Sequence, residues 1–314
     1  MPTRLTASTS AIRKKYVPIA IGIVGIFFCI YKLKDADFAT LWQQLHTAHF
    51  GFLVATLLLL PANLFLEVGK WQFMIRDIET ITYKQAWQQI LWGICGSFIT
   101  PYKVGDYPAR ASLIQDKSKW ASVITMGFLG SFIQNVMIAM VGIPALFLFI
   151  QRTHNEVIAT DTMLLVGGIS LVVCLCLPFL LQLLGKVRCK SSTMDKLIAD
   201  LQQLSFQKMA KILLWCVARY GVWGLQLYLL VRFFGAELTL QDAFIAIPTY
   251  YLLVTFTPFI PAFDVAIRGS WSFIVFVPFI GNTAIIGCVV LAIYLINTII
   301  PFFVGLFIHY HYES

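Results

Sequence analysis

Apolar runs close to the length needed to cross a bilayer recur along the whole chain. Full spans are predicted at about 16–31, 50–70, 122–150, 162–184, 212–231 and 282–308. Two further apolar stretches behave differently. Residues 85–101 and 243–261 are short, and each contains a Thr-Pro break followed by charge, at Thr100-Pro101 and Thr257-Pro258. Proline lacks a backbone donor and disfavours helix in the residue before it, so each break marks a helix end.

The basic residues decide how these stretches sit, because Lys and Arg concentrate in cytoplasmic loops. Suppose 85–101 crossed fully. The loop with Lys103, Arg110, Lys117 and Lys119 would then face outward, as would the loop with Lys186, Arg188, Lys190, Lys196, Lys208 and Lys211. If 85–101 dips in and returns, both loops become cytoplasmic. The other face then holds Lys32, Lys34, Arg152, Arg232 and Arg268. The re-entrant reading follows, with both termini cytoplasmic. The predicted fold class is all-α: a polytopic membrane protein of about six full spans plus two re-entrant segments, in a single integral domain over 1–314.

Composition agrees with this picture. Of 314 residues, 59% are hydrophobic and 12% charged, about half the charged fraction of a soluble domain. The longest polar connection, 185–211, is too short for an aqueous domain. Arg13, Lys14 and Lys15 before the first run resemble a signal peptide, but no small-residue cleavage site follows, so an uncleaved span is expected. Net charge +8 fits the positive-inside bias and contact with anionic lipid rather than nucleic acid. The seven cysteines form no C-x-x-C pair and have no histidine at ligand spacing. Neither a metal nor a cofactor is expected.

The two broken segments align with each other. Thr82, Ala86, Thr100 and Pro101 recur 157 positions later as Thr239, Ala243, Thr257 and Pro258. Asp106 and Arg110 answer Asp264 and Arg268 with one residue of slip. Three full crossings separate the start of span 50–70 from that of 212–231, and an odd number inverts the second half relative to the first. Repeat halves are therefore expected at 50–150 and 212–308. Inverted repeats with interrupted helices at matching places are a transporter architecture whose sites lie at the repeat interface.

Candidate chemistry gathers at the same places. Asp106 with Arg110, and Asp264 with Arg268, stand at i, i+4, so on a helix each pair shares a face. An unpaired charge near the bilayer middle costs at least about 2.5–3.5 kcal/mol, which makes pairing nearly obligatory. Each arginine presents a planar fork suited to a phosphate. Asn63 and Glu67 share a face in the second span, and Arg219 stands at the repeat equivalent of Asn63. These seven residues are the candidate substrate-binding set. Gln134, Asn135 and Asn297 read as interhelical hydrogen-bonding amides. No phosphate loop, serine-nucleophile elbow or zinc-protease motif is present, and no catalytic residue is assigned.

The stretch from Trp71 to Leu146 carries a further pattern. It runs from Trp71 and Arg76 through Thr100-Pro101-Tyr102-Lys103-Val104-Gly105-Asp106 and Arg110 to Gly130-Ser131 and Gln134. This resembles the lysylphosphatidylglycerol synthase transmembrane-region (flippase-like) family, whose core reads P-x-[RK]-[IV]-G-[DE]-x-x-[RK]. Here one extra residue precedes the basic position. In the second half, Asp264 and Arg268 replace the family's usual glycine-glutamate arrangement. The resemblance covers about residues 15 to 308 and implies lipid handling in a bacterial cytoplasmic (inner) membrane. Nothing in these residues fits the soluble synthase domain of fused members, so synthase activity is not carried over. The expected function is binding or translocating an anionic phospholipid, glycolipid or polyprenyl lipid. One alternative is an integral transferase using Asp106 and Glu67 as acid and base. Another is an accessory scaffold for a cell-envelope enzyme.

Overall fold

The computed structural model describes residues 22–34, 36–46, 48–154, 205–258 and 260–313. Every regular element among them is helical. In chain order they are α1 (22–34), α2 (Phe38–His46), α3 (Phe50–Ile75), α4 (Tyr83–Ile99), α5 (Asp106–Ser112), α6 (Trp120–His154), α7 (Phe206–Phe233), α8 (Leu240–Phe256), α9 (Asp264–Ile280), α10 (Thr283–Tyr294) and α11 (Ile300–Glu313). A π-helical stretch, Leu295–Ile299, joins the last two. Among the described residues, five segments are long and apolar enough to cross a membrane. Four match the spans expected at 50–70, 122–150, 212–231 and 282–308. The fifth, Pro261–Ile280, is the returning arm of the second broken segment, longer than α5 because apolar sequence continues to Ile280. Span 16–31 is described from residue 22 onward, as part of α1, and span 162–184 lies outside the described residues. The protein is an all-α, multi-pass membrane protein.

The two broken segments are built alike. Thr82 caps α4 by accepting a hydrogen bond from the Gln85 amide, and Thr239 caps α8 by accepting from the Asp242 amide. Each cap satisfies a helix-end donor that has no partner within the helix. Both helices run 17 residues and stop at a threonine in extended conformation, Thr100 or Thr257. A three-residue 3-10 turn opened by a proline follows, at Pro101–Lys103 and Pro261–Phe263. The chain then doubles back as α5 or α9. In the first hairpin the arms almost touch: a Cβ on Gly96 would lie 2.5 Å from the Gly105 carbonyl oxygen, and one on Gly93 2.1 Å from the Asp106 carboxylate. Only glycine admits this approach.

The hairpins open at opposite ends of the molecule. At the base of the first, Lys119 Nζ lies 2.5 Å from Glu79, and Lys208 at the start of α7 lies 2.5 Å from Asp77. The hydrogen bond from Lys208 holds the Asp77 carboxyl below the usual carboxylate range. The long helix α6 leads from that end to the other, where Arg152 meets Asp242 at the base of the second hairpin. Phe149 packs against Phe279 there, with ring centres 6.0 Å apart. The tips meet between, with Lys103 Nζ 3.6 Å from Asp264. This arrangement yields a labelling prediction. Single cysteines at Lys119 and Lys208 should react with a membrane-impermeant maleimide from one side, and cysteines at Arg152 and Asp242 from the other. Labelling of Lys119→Cys and Arg152→Cys from the same side would contradict the packing.

Candidate functional site

Glu67 is the node of a buried charge cluster. It lies on α3 one turn beyond Asn63, and its position is fixed by a face that also buries Val68, Lys70, Trp71 and Met74. Its Oε2 accepts from Lys70 at 2.6 Å and Arg219 at 2.7 Å, and its Oε1 accepts from Arg110 at 3.3 Å. One carboxylate thus ties α3 to α5 and α7. Arg110 is also held from its own helix. Its Nε and one terminal nitrogen donate to the two Asp106 oxygens at 2.7 and 2.5 Å, the bidentate geometry that makes arginine–carboxylate pairs strong. The guanidinium lies 4.9 Å from the Trp71 ring centre, and the Trp71 indole donates to Gln89 at 2.7 Å.

Asn63 extends the cluster toward the other end. Its Oδ1 accepts from Arg219 at 2.9 Å and from the Trp223 indole at 3.1 Å, and Arg219 also lies over the Trp223 ring. Its Nδ2 donates to Asn297 at 3.4 Å, Asn297 donates to Gln226 at 2.9 Å, and Gln226 donates to the Thr56 carbonyl. Asn297 sits in the π-helical stretch. Such a widened turn shifts the phase of the helix by roughly one residue and is common at functional sites.

The second pair is at the tip. Arg268 donates through Nε to Asp264 at 2.8 Å, and Lys103 from the opposing tip approaches the other Asp264 oxygen. Tyr102 and Lys103 both adopt left-handed backbone, φ 55° and 58°. This conformation costs a non-glycine residue roughly 1–2 kcal/mol. Strain of this kind clusters at functional sites.

The charges are unequal in number and in access. Three carboxylates, Glu67, Asp106 and Asp264, stand among five cations, Lys70, Arg110, Arg219, Lys103 and Arg268. At the tip the carboxylate is the more deeply buried partner: Asp264 is 4% exposed, against 39% for Lys103 and 18% for Arg268. Glu67 at 6% and Arg219 at 20% repeat the trend. Lys70 and Arg110 are the exceptions: Lys70 is as enclosed as Glu67, and Arg110 is enclosed and engaged on three sides.

All seven residues selected from the sequence lie in these two clusters. Both i, i+4 pairs form. Glu67, Asn63, Arg110, Asp106 and Arg219 come together, while Asp264 and Arg268 form a separate pair at the tip. Sequence reasoning missed Lys70, whose clue was its i, i+3 spacing from Glu67. It also missed Lys103 as a partner of Asp264, and Trp71 and Trp223 as faces for the arginines. Gln134, expected as an interhelical amide, donates to the Cys216 carbonyl across α6 and α7.

Fold and site together define a helical membrane protein with facing hairpins and cation-rich, buried ion pairs. The chain belongs to the family described as "Lysylphosphatidylglycerol synthase TM region", whose model matches residues 16–305. Its function is accordingly tied to membrane lipids. Among curated proteins, none matches the chain.

Proposed function

We propose that this protein binds an anionic lipid headgroup where the hairpin tips meet and carries it between leaflets. The observation that supports this most directly is the tip itself, where Lys103 and Arg268 are more exposed than the Asp264 they share. A phosphate approaching the tip meets donors first. It replaces Asp264 as a partner for Lys103, whose present contact is long for a direct ion pair. Arg219 offers the next cation, while Asp106, Glu67 and Asn63 position Arg110 and Arg219.

The two halves, 50–150 and 212–308, act in this reading as an inverted repeat. Hairpins entering from opposite ends give each leaflet an equivalent approach to the tip, and acyl chains stay in the bilayer. Irregular backbone at membrane depth is tolerated where protein buries it or a cavity is lined; neither proline turn holds a buried residue, so in this reading the two turns line a wet space where they meet.

Reconstituted vesicles holding fluorescent phosphatidylglycerol test the proposal. Arg268→Gln and Lys103→Gln should each slow leaflet exchange about tenfold, the expected loss of one charged hydrogen bond of roughly 1.5 kcal/mol. Arg152→Gln, remote from the tip, should exchange like wild type. Equal rates in all four proteins would remove the site. Recovered lipid should keep its mass, and a new mass would assign lipid modification instead.

A further inference from the structure

A second lipid-recognition feature lies away from the charge clusters, at the open base of the first hairpin. A polar cavity of about 380 Å³ sits between the hairpin and α11. Gln85, Gln88 and Gln89 line it from α4, Gln115 from beyond α5, and Trp92 from deeper along α4. Glu79 lines it too, and its charge is balanced by Lys119. Four amides and an indole on a surface without surplus charge are suited to hydroxyls rather than to a bare ion. Gln85 already uses its carbonyl oxygen at the Thr82 cap, and Gln89 uses its own for the Trp71 indole, so both present amide donors.

An apolar groove of about 490 Å³ adjoins this cavity and shares Gln88 and Ile308 with it. Phe65 and Trp87 form its wall, their rings 5.2 Å apart, with Tyr83 stacked beside Phe65. Lys84 also lines the groove. The polar cavity and the apolar groove meet at Gln88 and Ile308, and Lys84 lines the groove, so a polar chamber, a cation and an apolar slot stand side by side within reach of one phospholipid.

We infer that the base of the first hairpin is a lateral entry site for a phospholipid with a neutral, hydroxyl-bearing headgroup, such as phosphatidylglycerol. The hydroxylated headgroup sits among the glutamines, the phosphate meets Lys84, and one chain lies along Phe65 and Trp87. This occupant fits the union of the two spaces better than a soluble polyol, which would leave the groove empty. Gln89 then links the entry site to the central cluster, since its bond to Trp71 leads directly to the face that Arg110 covers. The inference concerns binding, and it rests on the translocation reading only for the word entry.

Native mass spectrometry of the purified full chain, with equimolar phosphatidylglycerol, phosphatidylethanolamine and phosphatidylcholine in the micelle, tests it. Wild type should retain phosphatidylglycerol preferentially. Gln88→Leu with Gln115→Leu should lower that preference about tenfold, the loss expected from two hydrogen bonds. The melting temperature, read in parallel, should stay close to wild type. Arg268→Gln should keep the preference while slowing leaflet exchange. Preference unchanged by the glutamine substitutions, or absent from wild type, overturns the entry site. Preference abolished by Arg268→Gln alone assigns the bound lipid to the tip instead. Normal exchange in Arg268→Gln overturns the assignment of the tip as the translocation site and leaves the entry site standing.

Discussion

Replacing Glu67 with glutamine is expected to destabilise the folded protein by about 3–5 kcal/mol, the range for removing one partner of a buried ion pair. The reason is the number of cations it serves. Lys70, Arg110 and Arg219 all meet this carboxylate, and Lys70 is as deeply buried as Glu67 itself. Arg110 retains Asp106 after the change, whereas Lys70 and Arg219 lose the carboxylate that neutralises them. Thermal unfolding in detergent would measure the effect. The double substitution Glu67→Gln with Lys70→Met should recover part of the loss, because it also removes an uncompensated charge. Glu79→Gln is the control: its pair with Lys119 is partly exposed, and such pairs contribute about 0–1 kcal/mol. A Glu67→Gln protein that melts like wild type would remove Glu67 from its place as the node.

Gly93→Ala should be nearly as damaging despite adding one methyl group. The new Cβ would fall 2.1 Å from Asp106 Oδ1 and 2.8 Å from the Arg110 side chain. Both atoms belong to a bidentate pair that has no slack, so either the pair opens or α5 moves off α4. Overpacking of this kind costs typically 1–3 kcal/mol, and loss of the ion pair adds to it. The contrast is Gly51, where a Cβ meets nothing within 4 Å. Alanine there should be neutral or slightly stabilising, since glycine is the poorer helix former. Unfolding curves that rank the two substitutions in the opposite order would contradict the described contact between the hairpin arms.

The local features of this molecule were readable from its sequence, and the convergent ones were not. The helix stops at Thr100 and Thr257 follow from prolines nearby, and the pairs Asp106–Arg110 and Asp264–Arg268 follow from spacing on one helix face. Such signals lie within a few residues of their cause. The meeting of Glu67 with Arg110 and Arg219 spans 43 and 152 positions, and nothing in an apolar run announces which of its faces will find which neighbour. Lys70 illustrates the difficulty. A lysine near the end of a span reads as reaching for water, yet here it turns back to Glu67 and is 5% exposed. The returning arm α9 outruns its counterpart α5 because apolar sequence continues to Ile280.

Helix α6 touches both hairpins. Gly127 packs against Tyr107 of the first, and Gly142 against Pro248 and Leu252 of the second. With 35 residues it is a rod of about 50 Å. A rod that pivots near its middle swings its ends in opposite senses, so a tilt that eases one hairpin from its neighbours presses the other inward. Pro144 lies within the stretch that meets the second hairpin, between Gly142 and Phe149, and removes one hydrogen bond from the rod. Such a tilt would therefore meet its weaker point in the rod beside the second hairpin, where the proline sits, which makes the seesaw lopsided.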